Sequence, residues 1–216
     1  MEKEIQLPTY ACEYKENLKA IISYDDPVWD QLPVMDLAET TFGTPVEEFA
    51  TGVKAFWTET ALYFRFFGKD SHLVASYTEH DDPIYEEDVV EVFISETGDM
   101  VSYKEFEVSP ANVKFDAAII NDPSRSLQVD TGWHLEGWET SVDYFPEKSE
   151  IYYVWKMPFA GFIGGVPQPG ASWRINCYRI DRGAGIDKPD LYMSWSPTGI
   201  VDFHTPYRFG HLHFVK

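Results

Sequence analysis

Apolar residues along this chain recur at every second position or in short unbroken runs, the two patterns that strands impose. Val53-Lys54-Ala55-Phe56-Trp57 and Leu62-Tyr63-Phe64-Arg65-Phe66-Phe67 flank a polar gap at Thr58-Glu59-Thr60 and predict a hairpin. Positions 89–94 predict a third strand, and Tyr103-Lys104-Glu105-Phe106-Glu107-Val108 alternates almost strictly. Further strands are predicted over 115–120, 137–144, 151–157, 173–180, 192–195 and 211–215. Turn-forming clusters separate them, among them Thr97-Gly98-Asp99, Asn121-Asp122-Pro123-Ser124 and Pro167-Gln168-Pro169-Gly170. No long segment carries the helical period, and positions 158–163 predict one short helical turn. Many short strands with frequent turns predict an all-β fold. The expected form is an antiparallel β-sandwich of two sheets, jelly-roll-like, with short helical turns. There is no internal repeat or linker, so residues 21–216 read as one domain. Residues 1–20 read as a separate N-terminal strand or arm.

Alternation also assigns faces. Glu91 lies opposite Val90 and Val92, and Glu107 lies opposite Phe106 and Val108. Both carboxylates can therefore project from one sheet while their neighbours fill the sandwich. A pair of carboxyls raises the question of glycoside hydrolysis. With 36 acidic residues, however, such pairings arise by chance.

Composition narrows the function classes. Lys and Arg number 17 against 36 Asp and Glu, a formal net charge of −19. Phosphate-binding surfaces rest on clustered Lys and Arg, so nucleic acid is excluded as a partner. An anionic membrane surface is disfavoured for the same reason, and no apolar stretch is long enough to span a bilayer. Aromatic residues make up 16% of the chain, which fits a β-rich core or rings displayed to a ligand. Cys12 and Cys177 are too few for a disulfide framework or a zinc site, and Cys177 reads as a buried thiol. The N-terminal segment lacks an apolar signal region, which fits a cytoplasmic protein or one whose leader has been trimmed.

The usual catalytic motifs are missing: no Gly-x-Ser-x-Gly elbow, phosphate-binding glycine loop or His-Glu-x-x-His helix. Gly183-Ala184-Gly185 reads as a flexible loop. The stretch from Glu79 to Asp88 reads as a solvated acidic loop in preference to a calcium site. The six histidines are scattered. His211 and His213 share a strand face and could form a metal pair, though surface or core packing is favoured. Met35, Met100, Met157 and Met193 could serve a haem, but none has a telling context. Tyr85 lies in the acidic loop, and Trp195 lies at a strand end entering a loop. Both positions suit ligand display. Trp57, Trp155 and Trp173 lie inside apolar strands and read as core.

The run Asp82-Pro83-Ile84-Tyr85-Glu86-Glu87-Asp88-Val89-Val90-Glu91-Val92-Phe93-Ile94 resembles the signature of carbohydrate-binding module family 9. Phe56-Trp57 with Leu62-Tyr63, Lys69-Asp70, Tyr103 with Phe106-Glu107-Val108, Trp173 with Asn176, and Ser194-Trp195-Ser196 fit the same order and spacing. The resemblance, over about 25–215, implies a sandwich that binds sugars without cleaving them. It implies a neutral mono- or oligosaccharide, often taken by its reducing end, held between two aromatic rings. By position those rings are Tyr85, where the best-known members carry Trp, and Trp195. Glu91 falls on a sugar-bonding carboxylate, Glu107 where a cationic bonding residue is usual, and Asn176 on a further polar position. The family often carries structural calcium, for which Asp70 and Asp88 are the candidate ligands. Family members of this kind are secreted or periplasmic. The carboxylates at the proposed site make an anionic sugar such as a uronate the wrong ligand. A haem-binding electron-transfer sandwich is the rival reading, and a glycoside hydrolase a more distant one.

Overall fold

The computed structural model describes residues 6–16, 18, 22–183 and 189–216. Of the loop expected at Gly183-Ala184-Gly185, positions 184 and 185 lie outside the described residues. Among the described residues the thirteen strands are β1 (Thr9–Tyr14), β2 (Met35–Glu39), β3 (Thr51–Trp57), β4 (Ala61–Lys69), β5 (Val89–Ser95), β6 (Ser102–Val108) and β7 (Lys114–Ile120), then β8 (Gln128–Asp130), β9 (Glu139–Phe145), β10 (Glu150–Pro158), β11 (Ser172–Asp181), β12 (Leu191–Ser194) and β13 (Gly210–Val215). The predicted hairpin is β3–β4, closed at Trp57 opposite Leu62. Its turn is fixed by Thr58, whose Oγ1 accepts from the amides of Thr60 and Ala61. The predicted helical turn is a 3-10 turn, Phe159–Gly161.

The strands form two layers. One runs β8-β7-β6-β5-β11 and the other β9-β10-β4-β3-β2. At one side β12 joins them by pairing with both β11 and β2. At another side β13 pairs with β11, and β1 pairs with both β13 and β3. Pairing is antiparallel throughout the path, while both partners of β1 run parallel to it. Part of the expected N-terminal arm is thus a strand within the sheet.

The inward faces follow the predicted alternation. Val90, Val92 and Ile94 of β5, Phe106 and Val108 of β6, Ile175 and Cys177 of β11, and Phe64, Phe66 and Trp155 of the other layer meet in the main core. Each such fully buried side chain stabilises the fold by roughly 1.5–3 kcal/mol. Cys12 and Cys177 are both buried free thiols. The outer face of β3, β4 and β10 is covered by Ile22, Trp29 and Leu32. The outer face of β5, β6, β7 and β11 carries its own apolar cluster, including Phe93, Phe115 and Ile180, but is only partly roofed. That opening positions the site.

Candidate functional site

The site begins with odd-numbered residues of β5 and β6. Register sets Glu91 directly opposite Glu107, and Phe93 opposite Glu105. Period-two alternation therefore brings three glutamates to one outward patch. One carboxylate oxygen from each lies within 4.8 Å of the other two. All three are buried, at 2%, 6% and 0% exposure for Glu91, Glu105 and Glu107. Oε1 of Glu91 and both carboxyl oxygens of Glu107 meet no hydrogen-bond donor among the described residues.

Burial, joined by carboxyl–carboxyl repulsion at Glu91 and Glu107, shifts these groups toward their neutral forms. Desolvation pushes Glu91 well above the ordinary glutamate range, with Glu105 adding repulsion. Glu107 is likewise pushed well up, by desolvation first and then by Glu91 and Glu105. Glu105 is pushed up to about 7 by desolvation. A cluster with few ionised members and free lone pairs can both donate to and accept from hydroxyl groups.

The three carboxyls form the floor of a cleft of about 710 Å³, whose lining also includes Tyr85, Arg182, Tyr192 and Phe203. Tyr85 sits on a 3-10 turn, Ile84–Glu86, and is 44% exposed. Its ring lies perpendicular to that of Phe115, centroids 5.8 Å apart. Across the rim, Phe203 stacks on Tyr178 at 4.1 Å, and Tyr192 meets Phe203 edge-on. Arg182 ties the rim together. It donates to the Tyr85 carbonyl at 2.7 Å, to the Tyr192 hydroxyl at 2.8 Å, and to Asp190 at 2.8 Å. At the far end the Tyr103 hydroxyl and His204 Nδ1 lie 2.8 Å apart.

The structure thus brings together Tyr85, Glu91 and Glu107. Two of the expected site residues, Trp195 and Asn176, do not line this cleft. β12 pairs Ile180 with Tyr192 and Tyr178 with Ser194. Tyr192 therefore shares the cleft face, and Trp195, of opposite parity, packs against the main core. The Trp195 ring lies over Gly210, where an added Cβ would come within 2.5 Å of it. Asn176 is fully buried and acts as a clip. Its Oδ1 accepts from the amides of Cys177 and Ser196, and its Nδ2 donates to the Ser196 carbonyl.

Asp70 and Asp88 lie beneath the site on a buried polar network. Asp70 accepts from the His72 amide and from Arg179, and Asp88 from the amides of Val74 and Arg182. All four oxygens are committed to protein donors, and the Arg179 guanidinium supplies positive charge beside Asp70. Calcium requires six to eight oxygen ligands with free lone pairs. These two residues do not offer that set. Glu105 and Tyr192 were overlooked as site residues. For Glu105 the signal was the same alternation that picked out Glu107. For Tyr192 it required the pairing partner of β12. Phe203 lies outside any strand and left no such signal.

A two-layer antiparallel sandwich with a partly roofed outer face and a polar floor flanked by rings is the architecture of a ligand-binding β-module. The chain belongs to the carbohydrate family 9 binding domain-like family, whose pattern it matches over residues 23–216. It is 27% identical over 208 residues to a protein of Arthroderma benhamiae named "Extracellular protein", covering 91% of this chain and 86% of the relative. Its fold is similar to that of a Bacteroides uniformis protein of known structure, with a TM-score of 0.74 and 17% identity over 95% of this chain and 98% of the other. It is also similar to a family 9 carbohydrate-binding module from Caldicellulosiruptor kristjanssonii solved with glucose, with a TM-score of 0.67 and 14% identity over 96% and 95% of the two chains. The same module solved with cellotriose gives a TM-score of 0.66.

Proposed function

We propose that this protein binds a neutral saccharide without cleaving it, in the cleft floored by Glu91, Glu105 and Glu107. One observation carries the reading: three buried carboxyls, two of which (Glu91 and Glu107) have oxygens unclaimed by described protein donors, lie beneath an aromatic rim. A sugar ring has apolar C–H faces and a hydroxyl perimeter. Tyr85, with Tyr192 and Phe203 across the rim, supplies flat surfaces for the faces, and the glutamates supply partners for the hydroxyls. Family membership and the glucose and cellotriose held by the C. kristjanssonii module support the same ligand class.

A binding role without turnover follows from the placement of the carboxyls. Glycosidases flank the scissile bond with an acid and a second carboxylate on opposite sides. Here all three rise from adjacent strands of one floor, one oxygen of each lying within 4.8 Å of the other two. The ring pair assigned by resemblance is therefore revised: Tyr85 remains a ligand-facing ring, and Tyr192 with Phe203 takes the place of Trp195.

Calorimetric titration with glucose, cellotriose and their methyl glycosides tests the reading and the preference for a reducing end. Binding should occur for at least one neutral saccharide and should weaken in both Tyr85→Ala and Glu107→Gln. Absence of binding to all of them, or indifference to both substitutions, would sink it.

A further inference from the structure

Beside the cleft, two histidines and two aspartates converge. His80 and Asp81 come from the acidic loop, Asp116 from β7, and His134 from the loop after β8. One ligand atom from each lies within 4.8 Å of the other three. Asp116 Oδ1 is 2.9 Å from His80 Nε2 and 3.2 Å from His134 Nδ1. Asp81 reaches the same two rings, with 3.3 Å from Oδ1 to His80 Nε2 and 3.9 Å from Oδ2 to His134 Nδ1. Asp81 Oδ1 is buried and has no hydrogen-bond donor among the described residues.

We propose that His80, Asp81, Asp116 and His134 form a binding site for one divalent transition-metal cation, with zinc the best match. The spacing supports this. A tetrahedral zinc with bonds of about 2.0–2.1 Å sets its ligand atoms roughly 3.3 Å apart. Asp116 Oδ1 stands 2.9 and 3.2 Å from the two imidazole nitrogens, and an Asp81 oxygen stands 3.3 Å (Oδ1) or 3.9 Å (Oδ2) from them, distances that surround that value. Donor chemistry points the same way. Two imidazoles with two carboxylates suit zinc and its neighbours, whereas calcium and magnesium demand shells of oxygen. Two carboxylates and two neutral imidazoles also carry the charge that a dication cancels.

The surrounding structure holds the ligands in place. Asp116 is 1% exposed, and its second oxygen, Oδ2, accepts from the Leu135 amide at 2.6 Å, which fixes the carboxylate plane. The Asp81 amide donates to the Lys114 carbonyl at 3.0 Å, so the acidic loop is already fastened to β7. A bound cation would add a second fastening. It would join the loop that carries Tyr85 to β7 and to the segment around His134.

The test uses the untagged full chain, stripped with a chelator and dialysed. Zinc is titrated by calorimetry, and cobalt(II) by visible absorption. The expected result is one equivalent of zinc, with cobalt giving the visible bands of a four-coordinate nitrogen–oxygen site. His80→Ala and His134→Ala remove half-exposed rings and should leave the fold intact, as melts in chelator would check. Each should weaken zinc binding by more than the ~10–100-fold that loss of an outer-shell partner costs. A His211→Ala/His213→Ala double variant should bind as the original does. Failure to take up a stoichiometric equivalent, or uptake that survives His80→Ala and His134→Ala, would overturn the proposal. So would loss of uptake in the double variant. None of these outcomes depends on whether the cleft binds a sugar.

Discussion

At the scale of single residues, Glu107 is the most consequential position. It is fully buried and its carboxyl meets no protein donor among the described residues, so its ionised form is uncompensated. The folded protein holds protons on Glu91, Glu105 and Glu107 that the unfolded chain would release in the ordinary glutamate range. Their contribution to stability is complete below about pH 4.5. It is lost as pH rises through the folded values, about 7 for Glu105 and well above the ordinary glutamate range for Glu91 and Glu107. Glu107→Gln keeps the shape and removes the charge. Urea melts should show it about 1–3 kcal/mol more stable than the original chain at pH 8. The gain should vanish near pH 5. The same substitution alters a ligand contact, so stability and affinity should move in opposite directions. Tyr85→Ala removes a half-exposed ring whose stacking on a ligand would contribute about 1 kcal/mol, and calorimetry should show roughly 5-fold weaker saccharide binding with little change in melting.

At the scale of elements, β12 decides the make-up of the rim. Asn176 clips Ser196 to β11 through two hydrogen bonds and accepts a third from the Cys177 amide. Asn176→Ala should therefore cost about 1–3 kcal/mol by leaving buried backbone groups unpaired. Trp195→Ala should cost about 2–3 kcal/mol, less than the ~3–5 of a fully buried tryptophan, and change saccharide affinity less than twofold. Denaturant melts and calorimetry on the same variants check both. Most of the strand content was legible from alternation, including the shared face of Glu91 and Glu107. β8 was not, because its three residues are all exposed and leave no apolar pattern. β2 left little signal because two of its five residues, Asp36 and Glu39, are charged and the run is short. Tyr192 and Trp195 were visibly on opposite faces of one strand. Which face looked outward depended on the register Tyr178–Ser194, a contact between distant segments. The gathering of His80 with His134, and of both with Asp116, is likewise a product of folding that spacing alone does not reveal.

At the scale of the molecule, the net charge of −19 surrounds a cleft whose floor is built of carboxyls. A uronate entering it would be desolvated beside like charge, or would force the floor to keep every proton. Oligouronates should accordingly bind at least ~10-fold more weakly than neutral oligomers of the same length, as paired titrations would show. The strand β1 has a different kind of consequence. Like β12 it bridges the two layers, here by matching Thr9 with His211 and Glu13 with Phe56. A contact between positions 9 and 211 has nearly the longest loop to close that this chain allows, so it pays its entropy last. Until it forms, β3 and β13 present bare edges that another chain can extend. Folding of this protein therefore resembles closing a seam. The window in which the seam stands open is when its molecules are most prone to pair with one another.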